Sequence, residues 1–135
     1  MLTVSQGFKK NEKLCSRKKI ETLIAEGSSV YFPLFRIIYL KDPGELPAPA
    51  QAAFSVPKKG FRLAVTRNLL KRRMREAYRK NKMLLYDAVV KSGAKLTLIF
   101  IYRLSTVASY DDIEKQMILA LRRLASELEK QLSHC

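Results

Sequence analysis

The chain has 135 residues, 47% of them apolar, and its 26 Lys and Arg against 12 Asp and Glu give a net charge of +14 and a pI near 10.0. That length suits one domain with a real core and is too short for two, and no stretch reaches the ~18–20 consecutive apolar residues of a membrane span. A domain this basic repels itself, which points to a polyanionic partner: RNA, DNA or an anionic membrane surface.

Residues 1–13, MLTVSQGFKKNEK, are polar, lack the apolar segment and cleavage site of a secretory signal, and are expected to be loose. Cys15 and Cys135 are too sparse for a disulfide framework, so two reduced thiols and a soluble, cytoplasmic protein are expected. Ser16 can cap a helix that begins Arg17-Lys18-Lys19-Ile20, with Cys15 and Ile20 as a hydrophobic staple. Ile20, Leu23 and Ile24 repeat at helical spacing, and Gly27 ends the element as a C′ glycine would.

Phe35-Arg36-Ile37-Ile38-Tyr39-Leu40 is β-branched and aromatic and predicts a strand. Lys41-Asp42-Pro43-Gly44 reads as a turn, extended by Pro47 and Pro49. Ala52-Ala53-Phe54-Ser55-Val56 then returns as the second arm of a hairpin, closed by Pro57, and Leu63-Ala64-Val65 is a candidate short third strand. A long helix is expected from about Thr66 into the late 80s, broken by Lys91-Ser92-Gly93. Leu96–Tyr102 is apolar on both alternating faces, the mark of a central strand covered on both sides. Ser109-x-x-Asp112 resembles a capping box, and Ile113, Met117, Leu121, Leu124, Leu128 and Leu132 form the stripe of a last helix, with 132–135 loose. The expected fold is α+β, a single-domain α/β sandwich over 1–135 in the order α-β-β-β-α-β-α.

The charge is concentrated. Lys58–Lys82 holds eleven basic residues and one acid, Glu76, and so carries +10 of the total +14. On a helical projection at ~100° per residue, Arg67, Asn68, Lys71, Arg72, Arg75, Arg79 and Lys82 fall within an arc of roughly 140°. Leu70, Met74, Ala77, Tyr78, Leu84 and Leu85 form a core-facing arc beside it, while Arg73 and Lys80 lie off both and read as solvated charges. Solubility is served by mixed charges, whereas this face is rich in Arg, whose planar fork suits phosphate. Lys58 and Lys59, beside the flexible Gly60, add two cations just upstream.

No catalytic residue and no metal ligand is assigned. The single His is His134, next to the end, and neither a zinc-spaced Cys/His set nor a GxxxxGK[ST] loop is present. Asp111, Asp112 and Glu114 stand where a helix's first turn favours acids for dipole reasons alone.

The run Ala64-Val65-Thr66-Arg67-Asn68-Leu69-Leu70-Lys71-Arg72-Arg73-Met74-Arg75-Glu76-Ala77-Tyr78, with Phe54-Ser55-Val56-Pro57-Lys58-Lys59 upstream and Gly27-Ser28-Ser29-Val30 after the first helix, resembles the protein subunit of bacterial ribonuclease P. The resemblance implies an α/β sandwich whose basic helix lies in a left-handed βαβ crossover, where ordinary crossovers are right-handed. It implies a protein that binds a catalytic RNA and the 5′ leader of precursor tRNA and assists endonucleolytic removal of that leader. Catalytic groups and magnesium would belong to the RNA, with no cofactor on the protein alone, no membrane and no small-molecule substrate. By resemblance Lys58, Lys59, Arg67, Asn68, Lys71, Arg72 and Arg75 contact the RNA, and Arg79 shares their arc. A central cleft between the first helix and the sheet would hold the leader, at Ile20 and Ile24 with Phe35, Ile37 or Tyr39. Leu69 departs from the family's second Arg, and Ile20 and Ile24 replace residues that are commonly Phe. The alternative is a structural RNA-binding protein of the ribosomal type, with no substrate role.

Overall fold

The computed structural model describes residues 10–42, 48–93 and 95–133. A 3-10 turn, Lys10–Glu12, leads into α1 (Arg17–Glu26), β1 (Ser28–Tyr31), β2 (Phe35–Asp42), β3 (Ala50–Ser55), α2 (Ala64–Asn81), α3 (Met83–Ser92), β4 (Lys95–Tyr102) and α4 (Tyr110–Ser133). The expected turn at Pro43-Gly44, Pro47, His134, Cys135 and the side chain of Leu132 lie outside the described residues.

The strands form one sheet in the order β1-β2-β4-β3, with β2 antiparallel to β1 and β4, and β3 parallel to β4. β4 is apolar toward both faces and takes the doubly covered central place expected of it. It therefore separates β2 from β3, which do not form the hairpin their proximity in sequence suggests. Leu63-Ala64-Val65 is not a strand either: Leu63 precedes α2, and Ala64 and Val65 open it. Three apolar residues are too few for periodicity to assign. The additional strand is β1, which starts at Ser28 with only Gly27 between it and α1.

Side chains alternate along each strand, so the sheet has two different faces. One face packs Phe35, Ile37, Leu98 and Phe100 against Leu70, Met74 and Tyr78 of α2, Leu85 and Val89 of α3, and the Ile113–Leu128 stripe of α4. The other is smaller, with Leu14, Leu23, Ile38 and Ile99 at its centre and Ile20, Leu40, Ala53 and Ile101 around them. Helix α1 lies on that face, over β2 and β4.

Local chemistry sets the element ends. Ser16 Oγ accepts the Lys19 N–H at 3.3 Å, the cap that its position predicts. The residue that packs beside Ile20 is Leu14, whereas Cys15 is exposed. Gly27 is extended (φ −72°) rather than left-handed; it is glycine because a Cβ would come within 2.5 Å of the Leu23 carbonyl and 2.6 Å of Ile38. Gly93, at φ 71°, is the left-handed cap, and it ends α3. The long basic helix is two helices. Asn81 Nδ2 donates to the Ala77 carbonyl at 2.9 Å, competing with the backbone ladder, and the break follows at Lys82.

The segment before α1 is fixed rather than loose from Lys10 onward. Lys13 bridges to Ala52, and the Leu14 N–H donates to the Ala52 carbonyl at 3.0 Å. Glu12 is buried and accepts from Lys82 Nζ at 2.5 Å and from Tyr86 Oη at 2.6 Å.

Candidate nucleic-acid interface

Helix α2 is anchored by an aromatic cluster. Tyr78 meets Phe100 and Phe54 edge-on, at 5.6 and 5.7 Å between ring centres, and Phe54 stacks on Phe100 at 5.3 Å. Such contacts are directional and add to area burial, so the helix has one seating on the sheet. With Leu70, Met74, Ala77 and Tyr78 buried, the opposite side faces outward.

On that outward side Asn68, Arg72 and Arg75 are exposed and Lys71 is half-buried, while Lys58 and Lys59 are exposed in the loop before the helix. Arg67 turns back, donating through Nη1 to the carbonyls of Phe61 at 2.7 Å and Arg62 at 2.9 Å. It thereby ties the 58–63 loop to the helix that follows. The first turn of α2 has neither an acidic side chain nor a side-chain cap. Its positive dipole end is left to cations and to whatever anion approaches.

Three cations behave differently from the projection. Lys82 is 1% exposed and paired with Glu12, so it does not belong to the basic face. Arg79 is held by Glu76 through two hydrogen bonds, Nε to Oε2 at 2.9 Å and Nη2 to Oε1 at 2.5 Å. That contact holds the Glu76 carboxyl below the usual carboxylate range. Arg73 is not a solvated charge: its Nη1 donates to the Ala108 carbonyl at 2.6 Å and fixes the chain entering α4. Lys80 is exposed, with its ammonium 5.5 Å from the Tyr110 ring centre.

The expected leader cleft is split by strand alternation. Ile20 and Ile24 are on the α1 side of the sheet, Ile20 partly buried and Ile24 56% exposed. Phe35, Ile37 and Tyr39 point to the opposite face and are buried in the main core. There burial raises the Tyr39 phenol pKa, with the Glu127 carboxylate of α4 adding to it. The sheet residues that face α1 are Arg36, Ile38 and Leu40 of β2 with Ile99 and Ile101 of β4. Both parities of 35–40 are largely apolar, so periodicity alone could not choose between them; the charge of Arg36 was the available signal for the more open face. Near the start of α1 a groove of about 340 Å³ runs between Lys18, Lys19 and Thr22 and the strand residues Leu40 and Thr97. Lys19 Nζ bridges it to Asp42 at 2.5 Å.

Asp111 and Asp112 are exposed in the first turn of α4, and Glu114 accepts from Asn81 and Tyr110 at 3.2 Å each. Among the described residues no group of three or more His, Cys, Asp or Glu could hold a metal ion, and no helix is long and apolar enough to cross a membrane.

The fold is that of bacterial ribonuclease P proteins. The Staphylococcus aureus RNase P protein structure matches with a TM-score of 0.66 at 20% identity, over 84% of this chain and 96% of that one. The Thermotoga maritima RNase P protein matches with a TM-score of 0.66 at 21% identity, over 83% and 96%. A basic helix carried in a βαβ crossover on such a sandwich defines the class. Sequence narrows it to the family: the Ribonuclease P family model matches residues 8–125. A ribonuclease P protein component from Porphyromonas gingivalis is 36% identical over 123 residues, 90% of this chain and 89% of that protein. The chain belongs to the ribonuclease P protein family, the protein components of a tRNA-processing ribonuclease.

Proposed function

We propose that the chain is the protein subunit of ribonuclease P, that it binds the catalytic RNA through the outer side of α2 and the loop before it, and that it takes the 5′ leader of precursor tRNA along the α1 side of the sheet. The observation that carries this reading is the one-sided basic helix, clamped to the sheet by Tyr78 and left without compensating acid apart from Glu76. A rigid row of cations displaces condensed counterions from a folded RNA, and each phosphate contact adds favourable entropy that falls with salt. The catalytic groups, with their magnesium, belong to the RNA. The protein supplies positioning and charge, so its effect is greatest where magnesium is scarce and RNA phosphates are least screened.

Reconstitution tests this. Purified protein is added to a bacterial ribonuclease P RNA at low magnesium with precursor tRNA, and 5′ cleavage is followed. Stimulation by the protein, with no cleavage by protein alone, is the expected result. No stimulation across a range of protein concentrations contradicts the proposal, and cleavage without RNA places the chemistry in the chain.

A further inference from the structure

On the α1 side, one row of side chains crosses all four strands: Ser55, Ile101, Arg36 and Tyr31 are successive register partners. The adjacent row, with Ile99 and Ile38, lies under Leu23 of α1, which packs on β2 and β4 and leaves β1 uncovered. At the outer end of the open row Tyr31 is 57% exposed, more than any other aromatic side chain among the described residues. Two guanidinium groups lie against its ring, Arg36 at 5.6 Å and Arg103 at 5.2 Å from the centroid.

Both arginines are aimed from behind. Arg36 Nη2 donates to Ser29 Oγ at 3.2 Å, and Arg103 Nη1 donates to the Phe32 carbonyl at 2.6 Å. The Arg103 backbone N–H also donates to the Leu34 carbonyl at 2.9 Å, which fixes the start of the 103–109 loop against the turn between β1 and β2. Arg36 Nε is buried and has no hydrogen-bond partner among the described residues. A buried donor without an acceptor is costly, and it marks the Arg36 guanidinium as held by packing against β1 and β2. An exposed ring and two oriented guanidinium groups make a set that one chemical class matches closely: a base to stack and a phosphate to pair.

We infer that Tyr31, Arg36 and Arg103 form a stacking seat for one unpaired nucleotide of the leader strand, an inference that rests on the proposed leader path along the α1 side. The base lies on the exposed part of the Tyr31 ring and the adjoining phosphate meets the two guanidinium groups. The leader rather than the catalytic RNA is the occupant because the basic side of α2 is on the other face of the sheet. The seat borders the surface proposed for the catalytic RNA at one place, an open cleft of about 390 Å³ that Arg103 shares with Lys59, Gly60 and Ser105. It provides the aromatic surface that the aliphatic Ile20 and Ile24 lack.

The test uses the reconstituted complex of protein and ribonuclease P RNA, with equilibrium binding of precursor tRNA and of mature tRNA. Tyr31→Ile keeps a residue suited to an edge strand but removes the ring; Tyr31→Phe keeps the ring. Tyr31→Ile is expected to weaken precursor binding about fivefold or more while leaving mature tRNA binding unchanged. Tyr31→Phe should bind both as the wild type does. Equal loss for precursor and mature tRNA, or weakened binding of the RNA subunit alone, would place the ring elsewhere and overturn the inference. If wild-type protein favours precursor over mature tRNA and Tyr31→Ile keeps that preference in full, the seat is wrong and the leader path stands. If wild-type protein shows no such preference, the path falls and the seat with it.

Discussion

Burying Lys82 opposite Glu12 takes two charges out of water, and their attraction offsets that only where the geometry is close and further hydrogen bonds satisfy the pair. Both conditions hold: the side chains are 1% and 7% exposed, Nζ and Oε1 are 2.5 Å apart, and the Tyr86 hydroxyl donates to the same oxygen. The pair joins the segment before α1 to the α2–α3 junction, so it fixes where the basic helix ends. Burial and the neighbouring carboxylate also raise the Tyr86 phenol well above its ordinary pKa, which keeps it a hydrogen-bond donor. Glu12→Ala strands the ammonium and is expected to cost about 3–5 kcal/mol in urea unfolding. Replacing both charges, Glu12→Leu with Lys82→Met, should recover most of that loss. A Glu12→Ala cost below about 1 kcal/mol would mean the pair is solvated and does not anchor the segment. None of this could be read from the sequence, because a helical projection places Lys82 with its basic neighbours and a partner 70 residues away leaves no local signature.

At the scale of the elements, α2 was the most legible part of the chain. Its stripe of Leu70, Met74, Ala77 and Tyr78 is buried as the 3.6-residue period requires, and Arg72 and Arg75 face outward. The strands were less legible, since which strand lies beside which depends on contacts distant in sequence. β2 and β3 look like a hairpin until β4, more apolar than either, takes the place between them. The site suffered from the same ambiguity: α1 was placed on the sheet, but the parity of β2 facing it was not. For the basic helix the consequence is quantitative. Lys71→Ala, Arg72→Ala and Arg75→Ala should each flatten the log–log salt dependence of RNA binding by roughly 0.7–0.9. Arg79→Ala should change it less, because Glu76 already holds that guanidinium and a phosphate would have to displace it. Filter binding or fluorescence anisotropy across a salt series gives the slopes. Unchanged slopes in the first three would remove the outer side of α2 as the RNA contact.

For the whole molecule, one four-stranded sheet separates two surfaces. The face packed by α2, α3 and α4 holds the main core and carries the basic helix on its outside. The α1 face is half covered, by a small apolar cluster at one end, and leaves the Ser55–Ile101–Arg36–Tyr31 row open at the other. On the proposed function, this division would let two RNA strands, one folded and phosphate-rich and the other single-stranded, approach from opposite faces of the sheet and meet only at the Lys59–Arg103 cleft. The net charge of +14 would draw both toward the protein, with the sheet between them. The most direct measurement of that claim is an NMR titration of the labelled protein with a short single-stranded leader RNA. Shifts are expected at Ile24, Arg36, Ile101, Arg103 and Tyr31, with Arg72 and Arg75 little changed. Shifts centred on Arg72 and Arg75, with the Tyr31 row silent, would contradict it.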